Sequence, residues 1–532
     1  QNTFLGARAG NDLTDADYNV AVGYNALSSD TLGSYSTAIG RNALFTQNFT
    51  TATNSHNTAV GYAAGEAVTT GVENTLIGSG AGDALTDADY NVAIGYSALT
   101  SDTLGSRSVA IGRNALVSQN FTTATASNNT AVGYEVGRNI TTGIDNVLYG
   151  SNAGYALTDA DDNVALGRSA LATDTLGSKS TAVGNGALNA QNFTTATDSY
   201  NVAVGYNAGN DITTGTLNTL IGSLAGDAMT TGTFNTAVGY AALSNDLKGL
   251  NNTAIGYEAL ATQQFGGSTN VYNTAVGHQA GRAITTGVQN TILGSLAGDA
   301  LTDADYNVAI GISALSADTQ GSRSVAIGRM ALGNQNFTSA TDSHNTAIGY
   351  SAGASVTTGT HNVLIGNDSG AALTTSSRNV AVGYEALAFA SVYNENTAVG
   401  YRALRVNTDG YSNTAIGVNS LLANTTGNSN TAIGHAAGTA NTEGLRNTAV
   451  GVESLDANTT GSDNTAIGKS ALGANTTASN NVAVGKSALE ANTTGYSNTA
   501  VGRGSLGLNT EGFSNTAVGK DALDSNTTGD HN

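Results

Sequence analysis

The chain contains no proline, no cysteine and no tryptophan in 532 residues. Each absence excludes something. A proline would delete a ladder hydrogen bond from a stacked sheet, so a chain without it can pair strand on strand without a break. Without cysteine there are neither disulfides nor thiolate metal sites. Charge is scarce, at 11% of residues, and one-sided: 19 Lys and Arg against 39 Asp and Glu, a net of −20. An acidic chain without clustered basic residues does not suit a nucleic-acid backbone, so no nucleic-acid partner is expected. No apolar run approaches the roughly 18 residues that a spanning helix needs, so no membrane span is expected in this segment. The 40% hydrophobic fraction owes much to alanine, and any core must therefore be thin and tightly packed.

What the chain has is a glycine that returns thirty times, always after Ala or a larger apolar residue and then an aliphatic one in nearly every copy. The series runs Gly6, Gly23, Gly40, Gly61, Gly78 and on to Gly519, with 24 steps of 17 residues and five of 21. A fixed short period over a whole chain means one unit stacked on copies of itself, which implies a rod. With the glycine as position 0, the unit reads Asn-Thr-Ala-Val-Gly-Tyr-x-Ala-Leu, followed by a polar stretch. The content of Gly, Thr and Asn and the missing 3.6-residue period argue against helix. The fold expected is all-β: a parallel β-solenoid, or left-handed β-roll, of about thirty turns.

Thr or Val at −3 and Val, Ile or Leu at −1 share one face of a strand. That face is expected to line the coil's own interior. Ala at −2 and Gly at 0 share the other face, small enough for another chain to approach closely. Seventeen residues span about 56 Å of contour, enough for two short strands and two bends, and thirty turns stack to roughly 140 Å. Each turn offers little apolar surface against the entropy of ordering it. Association through the Ala/Gly face would supply the missing burial, and a homotrimer, intertwined or side by side, is the expected assembly. Gly23, Gly40, Gly61 and Gly78 are thus read as structural. So are Asn57, Asn74 and Asn91, from a −4 column that is Asn in 26 turns and Ser in four; amides stacked at strand spacing can hydrogen-bond along the stack.

The chain reads as two zones. In residues 1–345 the turns group in fours, and the four extra residues fall in segments 47–53, 119–125, 191–197, 263–269 and 335–341. Each segment carries a phenylalanine (Phe49, Phe121, Phe193, Phe265, Phe337), either tucked under the longer loop or available for surface contact. Residues 346–532 keep uniform 17-residue turns, with loops such as Asn-Thr-Thr-Gly that suit a tight turn with glycine at positive φ. Both ends fall at the same repeat position, so an excerpt of a longer chain is expected.

Candidate chemistry is thin. The recurring Leu-Thr-Asp-Ala-Asp segment offers paired carboxylates at Asp15/Asp17, Asp87/Asp89, Asp159/Asp161 and Asp303/Asp305, weak candidates for calcium. The Gly-Gly-x-Gly-x-Asp pattern of calcium β-rolls is absent, and solvated loop acids are the plainer reading. No cofactor is otherwise expected. The position after the glycine is Tyr in ten turns and commonly Arg, Lys, Ser or His elsewhere. Such a column suits cross-strand stacking or contact with sugars. No triad or zinc spacing emerges, so no catalytic residue and no enzyme activity is expected.

Ser106-Arg107-Ser108-Val109-Ala110-Ile111-Gly112 and segment 322–328 resemble the Ser-Val-Ala-Ile-Gly motif of trimeric autotransporter adhesin heads, which are trimeric left-handed β-rolls that bind host surfaces. Segment 492–502, Asn-Thr-Thr-Gly-Tyr-Ser-Asn-Thr-Ala-Val-Gly, resembles repeats of bacteriophage tail fibres that end in a self-cleaving chaperone domain. The resemblance implies a fibre shaft on a virion surface or an extracellular bacterial surface, spacing a receptor-binding tip. Its partners would be copies of itself, a host cell-surface glycan or protein, and further fibre, baseplate or anchor segments. The rival readings are a glycan-depolymerising tailspike, which needs an acidic cleft, and an ice- or crystal-binding solenoid, which needs an exposed Thr column.

Overall fold

The computed structural model describes residues 1–390 and 394–532. It has no helix among those residues and forms a parallel β-solenoid of about thirty turns, as the period implies. Two compact units divide it, Gln1–Tyr272 and Asn273–Asn532. The change of loop type near residue 345 therefore falls inside the second unit. Each unit carries fifteen three-residue strands among the described residues, at positions −3 to −1 of successive turns. Neighbours pair in parallel with no slip: Thr37, Ala38 and Ile39 face Thr58, Ala59 and Val60 in the first unit, and Thr448, Ala449 and Val450 face Thr465, Ala466 and Ile467 in the second.

Among the described residues most 17-residue turns form one strand, where two were expected. The backbone explains it. Residues at +2, +4 and −5 take left-handed φ, as at Asn25 (57°), Leu27 (50°) and Tyr35 (63°), and a left-handed residue cannot continue a strand. Among the described residues a second, two-residue strand appears only next to the longer turns, where Gly33–Ser34 pairs with Thr53–Asn54 and its four counterparts do likewise.

The strand faces are the reverse of the sequence expectation. Ala at −2 points into the coil and is fully buried, as at Ala21, Ala38 and Ala59. Thr or Val at −3 and the aliphatic residue at −1 point outward. The interior is too narrow for a column of Val or Ile there, because Ala and Leu at +3 and +4, such as Ala26 and Leu27, already fill it from the opposite wall. Where two successive turns carry Gly at +4, the strand between them carries Leu at −2, or Ile in the case of Ile292. A Cβ on Gly65 or Gly82 would meet the Leu76 methyls at 2.6 and 2.8 Å, so the one leucine occupies the room two others vacate.

The glycine column closes within the chain, and that contact accounts for its glycines without a second chain. Gly468 has φ +132°, open to glycine alone, and a Cβ there would lie 2.6 Å from the carbonyl carbon and oxygen of Gly485. Gly23, Gly40, Gly61 and Gly78 stand in the same relation to the next turn. The loop glycine of Asn-Thr-Thr-Gly also differs from expectation. Gly427 is not at positive φ; it is glycine because a Cβ would collide with Asn424 Oδ1 and the Gly444 carbonyl.

Two buried polar columns hold the turns together. At −4, the Asn74 N–H donates to Asn57 Oδ1 at 2.9 Å, while Asn74 Nδ2 donates to the Ala88 carbonyl at 2.8 Å. Asn91 repeats the pattern on Asn74 and Gly105. These amides bond mainly to backbone. The side-chain ladder itself runs at +7 in the plain turns, where Asn424 Nδ2 donates to Asn407 Oδ1 at 2.7 Å and Asn441 to Asn424 at 2.8 Å.

Gly468→Val adds strain and a backbone collision at once, and should lower stability by about 2–4 kcal/mol. The check is a thermal melt together with proteolytic cleavage near residue 468; an unchanged melt overturns the close-approach account.

Candidate interaction surface

The outward strand face carries no charge in any turn. Position −3 is Thr or Val throughout, and −1 is Val, Ile or Leu with a single Tyr, Tyr149. Interior rungs remain exposed, with Ile77 at 37% and Ile467 at 40%. In a chain of net −20, an uninterrupted neutral, mostly β-branched stripe runs along each unit.

The columns on either side are aromatic and charged. At +1, Tyr240 stacks on Tyr257 and Tyr384 on Tyr401, with ring centres 5.4 Å apart in both pairs. Arg41, Arg113 and Arg329 lie over Tyr62, Tyr134 and Tyr350 at 5.5–5.6 Å. At −5, Tyr18, Tyr35 and His56 stack in series. Cross-strand stacking thus accounts for many of these side chains, and their outer edges stay in solvent. No family model matches the chain, and no curated protein matches it in sequence.

The five loop phenylalanines are not surface contacts. Phe49, Phe121, Phe193, Phe265 and Phe337 are all buried, at 4–7% exposure. Each belongs to a polar cluster that sequence reasoning did not assemble. Asp30 is fully buried at +7 and accepts from the Gly33 and Phe49 N–H groups at 3.1 and 3.2 Å and from Gln47 Nε2 at 2.6 Å. Gln47 Nε2 also donates to Ser36 Oγ, while Asn57 donates to Gln47 Oε1. Ser36 Oγ and Ser55 Oγ lie 2.5 Å apart. This explains why Ser replaces Asn at −4 beside a long turn: the glutamine amide needs the room. The cluster recurs at Asp102, Asp174 and Asp318. At Asp246 it is altered by Asn252, and burial pushes that carboxyl above its usual range against hydrogen bonds from Gln263 and the Gly249, Phe265 and Lys248 amides. Aspartate seven residues past the glycine was the available signal, hidden because neighbouring turns place Leu, Met or Gln in that column.

The acidic pairs are not assembled for calcium. Asp15 and Asp17 are exposed. Asp87 accepts from Thr70 Oγ1 at 2.6 Å, whereas Asp89 accepts from the Val72 N–H at 2.8 Å. Asp159 and Asp161 divide in the same way between Thr142 and Ile144, and Asp303 and Asp305 between Thr286 and Val288. Each of these six carboxylates caps a separate group of the preceding turn. Burial pushes the Asp161 carboxyl up; the Ile144 N–H pulls it down, and Asp159, Asp162 and Asp145 add to the rise. Among the described residues no three His, Cys, Asp or Glu come close enough to share a metal ion.

Asp102→Ala would orphan three buried donors, those of Gly105, Phe121 and Gln119, and should destabilise by about 3–5 kcal/mol. Asp87→Ala removes one exposed bond and should cost less than about 1 kcal/mol. Denaturant titration of the two variants checks the difference, and equal effects would overturn the buried-cluster account.

Proposed function

We propose that this chain is a structural segment of a surface fibre, a phage tail-fibre shaft or a bacterial adhesin, that spaces and presents a receptor-binding tip. The observation that carries the reading is the neutral outward sheet face. Fifteen rungs at about 4.8 Å and two side-chain columns about 7 Å apart make a stripe of roughly 500–700 Å² on each unit. On each unit that approaches the roughly 800 Å² per partner of a standard interface. A face without charge can meet its own copy without repulsion, which the acidic remainder of the surface cannot. The proposed assembly is a homotrimer built on the Thr/Val/Ile stripe, three being the count that the adhesin-head resemblance implies. The location proposed is a virion or bacterial surface, with a host glycan or protein as the tip's partner. No residue is assigned a catalytic role.

Multi-angle light scattering on the full chain should return three times the chain mass. Ile433→Lys with Ile467→Lys places like charges on the stripe and should shift the population to monomer, because each would be buried against a copy of itself. A well-folded monomer in the parent protein sinks the trimer.

One observation favours a second reading. The −3 column, Thr in most turns and Val in the rest, faces outward at the strand spacing, so the orientation that argued against an ice- or crystal-binding solenoid does not hold. A thermal hysteresis measurement separates the two: the fibre reading expects none, and clear activity replaces it.

A further inference from the structure

In the second unit two arginines converge on one carboxylate. Arg402 Nε and Arg405 Nε both donate to Glu385 Oε2, at 2.9 and 2.6 Å. Arg402 lies over the Tyr401 ring at 5.0 Å and Arg405 over the Phe389 ring at 4.8 Å. Tyr401 in turn stacks on Tyr384, 5.4 Å away and within 12° of parallel. Burial pushes the Glu385 carboxyl up, yet hydrogen bonds from Tyr384 and Arg405 and the charge of both guanidiniums hold it below its usual range. It is therefore ionised, and the cluster carries one net positive charge in a chain of net −20.

The two guanidiniums are fixed but not used up. Each commits its Nε to Glu385 and a face to an aromatic ring, and among the described residues the terminal nitrogens of both have no hydrogen-bond partner. Arg402 and Arg405 keep 37% and 29% of their side chains exposed. Two forks held in place, with free N–H groups, suit a planar oxyanion, since little rotamer entropy remains to be lost. Beside them the outer edges of the stacked Tyr384 and Tyr401 rings, 41% and 43% exposed, form an apolar strip next to the cationic pair. A ligand that matches both carries a carboxylate on a saturated ring with C–H faces.

We propose that Arg402 and Arg405, with the Tyr384–Tyr401 stack, bind a uronic-acid unit of an acidic polysaccharide: the carboxylate at the free guanidinium ends, the pyranose C–H groups along the exposed tyrosine edges. The site stands independently of the fibre reading, because a monomer that binds retains it and a trimer that does not bind loses it.

The test is calorimetric titration of the full chain with tetragalacturonate at low salt, beside its carboxyl-reduced counterpart. The acid should bind and the neutral sugar should not. Arg402→Gln with Arg405→Gln should weaken binding about tenfold or more, and so should raising the salt to about 0.5 M. Arg402→Lys with Arg405→Lys keeps charge and stem but removes the fork; it controls for folding and should still weaken binding. Arg378→Gln, whose arginine pairs with Glu395 elsewhere, should leave binding unchanged. No binding at millimolar ligand, equal binding of the neutral sugar, or full affinity in the double glutamine variant each overturns the proposal. Inorganic sulfate competing as well as the oligosaccharide would reduce the site to a bare anion contact and overturn its sugar half.

Discussion

Each turn rests on the next where a glycine backbone meets a glycine backbone. The contact leaves no room for a Cβ, and its φ near +135° admits no other residue. Because that approach repeats in successive turns, strands that are only three residues long stay in register, with Ala over Ala and aliphatic over aliphatic. Register then places Leu at +4 opposite Ala at −2 and closes a core one side chain deep. A change that moved one turn away from the next would open the core and the ladder together.

A core this thin has to satisfy many polar groups, and it does so in columns. The −4 amides bond the backbone of the following turn, and the +7 amides of the plain turns bond one another. Where the chain inserts four residues, the +7 column changes to Asp and Gln, the −4 Asn gives way to Ser in four of the five cases, and a phenylalanine seals the corner. The long turns are thus complete local solutions with their own hydrogen bonds. They modify the interior as much as the surface.

With the interior occupied by Ala, Leu and Asn, the larger aliphatic side chains have nowhere to go but outward. A single coil consequently exposes a neutral stripe whose natural cover is another apolar or neutral surface. The charged and aromatic columns flank that stripe and are mostly paired with one another. The Glu385–Arg402–Arg405 group is different, because two forks share one carboxylate and keep their ends open.

The sequence by itself determined the period, the all-β class, the stacking of one unit per 17 or 21 residues, and the need for glycine at Gly23, Gly40 and their successors. Those follow from spacing and from residue size, which a linear chain displays. It also displayed the −4 column that contains Asn57, Asn74 and Asn91, though not that its partner is chiefly backbone. Only the tertiary structure decided which strand face is inside. Alternation marks two faces and does not name them, and the wall opposite, Ala26 with Leu27, is what excludes Val and Ile. The same holds for Phe49 and Asp30: their burial depends on a turn that folds over them from nearly twenty residues away, and for the pairing of Arg402 and Arg405 on Glu385, which exists only once two turns are stacked.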